Sequence, residues 1–338
     1  MRIDVIEDVE GLERLSDSWR SLREHARRTT PFQSPEWLIP WCSAFLEPGQ
    51  LHALALSSGD RLAALVPMVR RSSADGASLA LAGEGISDYL DCVVAADADD
   101  AVVSCLEQAI RDETSRIGEL RAEGVPAWSA LLEAFADLRT CVRPSTRCPV
   151  VSLTPAQDHY FRDLPAWLRR NLRRSKKRLD QMGSIRWETA QAGNLDELLE
   201  ALFELHARRW AMKGEPGVFA DPRVQAFHRD SAPRLVRSGA LRLHALRLDG
   251  RVVGVLYVLI GARAYQYASG YDPALADCSV GSFLIEHAVK DAMASGIAAY
   301  DFLRGEEPYK YDWRARDTFT YSMTLGRRID RNHEGVSP

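Results

Sequence analysis

The tetrapeptide Leu51-His52-Ala53-Leu54 recurs as Leu243-His244-Ala245-Leu246, and the residues after the two copies run in parallel. Leu56, Gly59, Arg61 and the apolar run Leu62 to Val66 come after the first; Leu248, Gly250, Arg251 and Val252 to Ile260 come after the second. Each hairpin leads into short strands, a helix and a strand beginning near Ile117 or Ile297. A spacing of roughly 190 residues is far beyond the period of solenoid repeats and fits one supersecondary unit built twice. A chain of 338 residues is long enough for two domains, each with its own core.

Local patterns fill in the elements. A helix is expected from Leu12 to Ala26, and Ser34-Pro35-Glu36 starts another that runs through Phe45. Ser58-Gly59-Asp60 turns the first hairpin, a strand pair comes next at 78–81 and 89–94, then a helix at 99–114 and a strand at 117–121. The second half predicts a strand at 185–189, helices at 195–212 and 222–237, and a hairpin over Asp249-Gly250. A strand at 263–270, with Tyr265 and Tyr267 on one face, precedes a helix at 280–294 closed by Gly296 and a strand at 298–303. The expected fold class is α/β (α+β), with mixed central sheets flanked by helices. Residues 1–155 form the first domain, 156–182 a basic connecting helix, 183–330 the second domain and 331–338 a polar tail.

In that connecting helix Leu164, Leu168, Leu172 and Leu179 share one face, while seven Arg or Lys residues occupy 169–178 without an acid among them. A solvated amphipathic helix accounts for this; so does an anionic partner, either a phosphorylated cofactor or an RNA backbone. The formal net charge of −4 argues against a nucleic-acid binder over the whole surface. The six cysteines form no CxxC pair and read as buried free thiols in a reducing compartment. No signal-peptide core is present, and the longest apolar stretch, about ten residues from Val252 to Gly261, is too short for a membrane-spanning helix. A cytoplasmic location is expected. No metal-ligand spacing, nucleophile elbow, P-loop or dinucleotide fingerprint occurs.

The two copies differ where a helix N-terminus would seat a phosphate. Asp97, Asp99 and Asp100 fill that position in the first copy; Cys278-Ser279-Val280-Gly281-Ser282, small and uncharged, fills it in the second. The densest polar cluster, Asp301 to Trp313, lies just past the next strand, a place where α/β enzymes put reacting groups.

Four segments, Phe32 to Trp37, Ser87 to Asp91, Leu205 to Trp210 and Asp301 to Lys310, resemble the GNAT-type acetyltransferases of the CelD or BioF2-like group, relatives of the FemAB peptidyltransferases. The resemblance implies tandem GNAT domains and acyl transfer to an amine or hydroxyl of a small molecule or sugar, from acetyl-CoA or another acyl-CoA and without a metal. It implies a donor between two splayed strands near Tyr265 to Gly270 and Ala298 to Leu303, touching Tyr267 and Phe302, with its pyrophosphate on Ser279, Gly281 and Ser282. No Gln or Arg occupies the place that the common GNAT loop reserves before Gly281. The Fem-type relatives, which take aminoacyl groups from tRNA, share that departure.

For such a reaction Glu306 is the first candidate base, with Asp301 and His206 behind it, and Tyr309 is the candidate acid. Arg304 or Lys310 would hold an anionic group. His206, Arg209 and Trp210 share a helix and would line the acceptor pocket, with Asp88 and Asp91 added from the first domain. His52 and His244, being repeated, read as structural. A Fem-type tRNA-dependent transferase and a non-catalytic partner in a polysaccharide-synthesis complex are the alternatives. The sequence leaves the oligomeric state open.

Overall fold

The computed structural model describes residues 1–73, 76–135, 142–153 and 159–326. Cys141 and the expected polar tail at 331–338 lie outside them. The first half runs β1 (Arg2–Ile6), α1 (Val9–Glu24), α2 (Pro35–Phe45), β2 (Ala53–Ser58), β3 (Arg61–Val66), β4 (Met68–Ser73), β5 (Gly76–Leu81), β6 (Val93–Val94), α3 (Asp100–Ile117), β7 (Glu119–Pro126) and α4 (Ala130–Ala134). β8 (Val142–Ser152), α5 (Tyr160–Asp163) and α6 (Ala166–Met182) come next. The second half runs β9 (Ile185–Thr189), α7 (Leu195–Ala211), α8 (Pro222–Arg237), β10 (Leu241–Leu248), β11 (Arg251–Ile260), β12 (Ala264–Tyr271), α9 (Val280–Ala294), β13 (Ala299–Asp301), α10 (Pro308–Asp312) and β14 (Arg316–Leu325).

The halves repeat one order: strand, two helices, hairpin, strand, helix, strand. β1 lies antiparallel to β2 as β9 does to β10, and β5 lies parallel to β7 as β12 does to β13. The single strand β11 corresponds to β3 and β4, which are separated at Pro67, a residue with no N–H to give a sheet. The mixed α/β class is as expected. The repeated histidines are also equivalent. His52 Nε2 sits 2.8 Å from Glu113 of α3, and His244 Nε2 sits 3.6 Å from Asp291 of α9. Each ties its central strand to the helix that covers it.

Two compact units form. One holds residues 1–28 and 46–145 with the segment from Thr320; the other holds 29–45 and 146–319. In the first, the strand orders are β1-β2-β3-β6 and β4-β5-β7-β14, over a core of residues such as Leu56, Leu79, Leu106 and Val125. One expectation fails here. Residues 78–81 pair with β4 rather than with 89–94, and only Val93 and Val94 form a strand, on β3. Asp91 explains the break. Its buried carboxylate accepts from Ser129 Oγ and from the amides of Cys92, Ala130 and Leu131, which pins 89–92 to the start of α4.

In the second unit the order is β8-β13-β12-β11-β10-β9. α9 and α6 cover one face through Leu168, Leu172, Leu256, Leu284 and Tyr300. α2 packs against α8 through Trp37 and Phe227, ring centroids 4.8 Å apart. α2 and α8 begin alike, each with proline in its first turn after a 3-10 turn built around Phe32 or Phe219. Among the described residues no helix is long and apolar enough to cross a membrane. The described cysteines are all free; four are buried and Cys105 is half-buried.

Candidate active site

The second unit contains a gap in its sheet. β12 and β13 are parallel for only two registers, Ala264 with Tyr300 and Tyr265 with Asp301. β13 ends there, while β12 continues to Tyr271 with no strand beside it on that side among the described residues. A strand edge with no strand beside it is a place where an extended ligand can add. A β-bulge adds to the distortion: Tyr257 opposes Ala268 and Val258 opposes Gln266, leaving Tyr267 as the extra residue. Bulges re-aim side chains beside functional sites.

The turn after β13 is held from below. Asp301, fully buried, accepts from Arg263 Nη1 at 3.1 Å and from the Leu303 amide at 2.9 Å. Leu303 takes a left-handed conformation, φ 57°, which costs a branched residue energy. Buried Lys310 offsets that cost: its ammonium donates to the carbonyls of Leu303, Arg304 and Gly305 and pairs with Glu307 at 2.9 Å. Lys310 thus positions the turn from inside. Phe302 is core, packed on Tyr300 and Tyr309.

A polar chain crosses the gap. Tyr300 Oη donates to Gln266 Oε1 at 2.9 Å, and Gln266 Nε2 donates to Tyr309 Oη at 3.4 Å. Burial, then the Glu307 charge, pushes the Tyr309 phenol up to about 12, while Arg209 acts in the opposite sense. Tyr309 therefore keeps its proton at neutral pH. The Arg209 guanidinium lies 4.8 Å over the Tyr271 ring and reaches Ser269 Oγ. A Cβ on Gly281 would meet that same ring at 3.1 Å. Tyr271 thus links the gap to the start of α9.

That start carries no capping side chain. Ser279, at the N-cap, has φ 46° and ψ 44°, and its hydroxyl takes Asn171 of α6 as partner instead. The contrast with α3 is direct. There Asp99 caps by accepting from the Val102 amide, and Asp97 binds Arg61 through two bonds. α6 lies along the α9 start, with Arg178 donating to the Asp277 carbonyl. At about 100° per residue, Trp167, Arg174 and Arg178 share that flank with Asn171.

His206 is buried on α7, its Nδ1 without a partner, against Phe219 and Trp210. Burial, then Arg209, lowers its pKa to about 4, so the imidazole is neutral. Glu306 pairs with Arg147 at 3.3 Å on the exposed side of the loop, and Glu307 is the carboxylate that acts on Tyr309. Tyr267 enters an aromatic cluster with Trp37, Tyr257 and His228. Trp210 is half-buried, with Lys213 over its ring. The Arg304 side chain is exposed, and Asp88 lies buried in the first unit. The structure thus gathers Tyr309, Arg209, Gly281 and His206 around Tyr271 and α7. Gln266, Tyr271 and Tyr300 join them without having been singled out from the sequence; a glutamine amid apolar strand residues was the one signal for them. Among the described residues no group of three or more His, Cys, Asp or Glu is placed to hold a metal ion.

Residues 167–311 match the model of an acetyltransferase (GNAT) domain. The matched segment lies inside the second unit and includes the gap, α9 and α6. No curated protein matches the chain. Among solved structures, FemX superposes with TM-score 0.66 at 10% identity, covering 96% of this chain and 98% of that one. A conserved protein of unknown function from Bacteroides thetaiotaomicron gives 0.63 at 11% identity, over 96% and 100%. At such identities the likeness is one of fold.

Proposed function

We propose that the second unit transfers an acyl group from acyl-CoA to an amine or hydroxyl of a small molecule, sugar or biosynthetic intermediate. The observation that carries this reading is a parallel strand pair that opens after two registers directly before a helix with an uncapped first turn. The amides of the donor's extended arm pair with β12 where β13 no longer runs beside it. Its pyrophosphate meets the N–H groups of Gly281 and Ser282, where the helix dipole favours an anion. Arg174 and Arg178 supply from α6 the positive charge that the loop itself lacks. Asp97 to Asp100 leave the first unit without a donor.

In the reaction the acceptor heteroatom attacks the thioester carbon and the C–S bond breaks. Tyr309 gives its proton to the departing thiolate, and Arg209 steadies the phenolate that results. For the base, His206 is favoured over Glu306 and Asp301, because its imidazole is neutral and one ring nitrogen is unpartnered. Asp301 is already saturated, and Glu306 faces Arg147. The CelD-like grouping belongs to this proposal and rests on the four sequence segments. The unpaired cysteines fit the reducing cytoplasm.

Titration calorimetry with acetyl-CoA tests the donor. Ser282→Glu places a carboxylate in the anion seat, so affinity is expected to fall at least about tenfold with the melting temperature unchanged, an acid being favourable in a first helical turn. No binding by the native chain, or equal binding by the variant, removes the reading. Tyr309→Phe is expected to slow turnover about a hundredfold while donor affinity stays the same.

The likeness to FemX and the exposed flank of Trp167, Arg170 and Arg174 favour one second reading, an aminoacyl-tRNA donor. It predicts binding of charged tRNA with a steep salt dependence that flattens as these arginines are removed.

A further inference from the structure

The opposite flank of α6 borders a cavity of about 440 Å³ in the second unit. Leu168, Leu172, Ser175 and Leu179 form the buried ridge of the helix. Asn171 and Arg178 face the α9 start on one side of that ridge, and Arg169, Arg173 and Lys176 face the cavity on the other. α6 therefore separates this space from the proposed donor seat.

The cavity has flat aromatic walls. Trp187 of β9 stacks on His287 of α9 with centroids 3.9 Å apart and planes within 2°, and Phe283 adds a tilted ring at 5.2 Å. Phe161 closes another side, with Lys290 5.2 Å from its centroid. Burial lowers the His287 pKa, so the stacked pair is uncharged. The rim is cationic and only partly neutralised. Lys290 is matched by Glu286 and Lys176 by Asp180, both at 2.7 Å. Arg162 touches His159, and neither Arg162 nor Arg173 has an ion pair with a carboxylate among the described residues. The Arg169 Nε is buried with no hydrogen-bond partner. A buried guanidinium N–H left unpaired is costly, and that cost is removed by an acceptor entering the cavity.

We propose that this cavity is a second ligand site that binds an aromatic phosphomonoester of mononucleotide size. The ring lies against the Trp187 wall, where stacking is favourable, and the phosphate is gripped by Arg169 and Arg173, whose planar forks suit its oxygens. An aliphatic carboxylate would match neither the flat wall nor the number of donors. Occupation ties α6 to α9 and so stabilises the helix that flanks the donor seat, by mass action on the folded state.

The test uses the full-length chain in low salt, with AMP, adenosine, inorganic phosphate and decanoate as calorimetric probes. AMP is expected to bind with Kd below about 1 mM, with adenosine and inorganic phosphate each at least about tenfold weaker. The double variant Arg169→Ala/Arg173→Ala is expected to lose AMP affinity at least about tenfold and to keep both its melting temperature and its response to acetyl-CoA. The proposal is overturned if AMP fails to bind, if decanoate binds more tightly than AMP, or if AMP affinity follows Ser282→Glu and ignores the arginine pair. Failure of acetyl-CoA binding alone leaves this site standing, since the two sets of side chains do not overlap.

Discussion

Gly270→Val is expected to cost the second unit about 4 kcal/mol of stability, enough to unfold a marginal domain. The reason is a backbone-to-backbone approach. A Cβ at 270 would stand 2.7 Å from the His206 amide nitrogen and 2.9 Å from the Leu202 carbonyl oxygen, so neither neighbour can turn aside as a side chain would. β12 and α7 must move apart. That motion carries His206 and Arg209 away from Tyr271 and Tyr309, so activity should fall even where folding is rescued by low temperature. Denaturant titration of the native chain, Gly270→Ala and Gly270→Val should give a graded series of midpoints. Three equal midpoints would mean that the strand and helix do not meet at this point.

Much of the fold was legible because its signals are local. The helices 222–237 and 280–294 and the strand 185–189 begin and end where the pattern places them, since apolar periodicity and flanking polar or proline residues act within a few positions. The Asp249-Gly250 turn has both residues at positive φ, as its sequence requires. The repeat was legible for a different reason: two copies can be compared without knowing either fold.

What escaped depends on distant partners. The extended look of Tyr89 to Val94 was overridden by Asp91, three of whose four bonds reach residues some forty positions away. Nothing near Pro35 indicates that α2 packs in the second unit, because an apolar face does not name the core that receives it. Lys310 reads in the sequence as a cation that would hold an anionic group; three carbonyls from the turn after β13 draw it inside, where a lysine is rarely found. The small, uncharged start of α9 is plain in the sequence, but its lack of a side-chain cap is not. Ser279 has a hydroxyl that would cap, and it takes the left-handed conformation with Asn171 as partner.

The second unit should also be acid-labile, and His228 is the chief reason. Its ring is fully buried among Trp37, Phe219, Phe227 and Tyr257, with neither nitrogen partnered, and burial lowers its pKa to about 3 from an ordinary 6.5. Above pH 6.5 the group is neutral in folded and unfolded chains alike and has no effect on the balance. Below 6.5 the unfolded chain takes up a proton that the folded chain refuses. Stability then falls by about 1.4 kcal/mol per pH unit, about 2 kcal/mol by pH 5, and the fall levels off once the folded pKa is passed. His206, held near 4, adds a parallel loss over a shorter window. Asp91 acts the other way in the first unit: its pKa, raised to about 6 by burial, makes the folded form the better proton binder between about 4 and 6. The two units should therefore diverge as the pH falls, the second melting first. His228→Leu removes the titrating group at nearly constant volume, so its advantage over the native chain should widen by about 2 kcal/mol between pH 7 and pH 5. Denaturation curves at both pH values decide the matter; parallel losses in the two proteins would show that a solvent path or a partner reaches the ring, and that the aromatic cage does not isolate it.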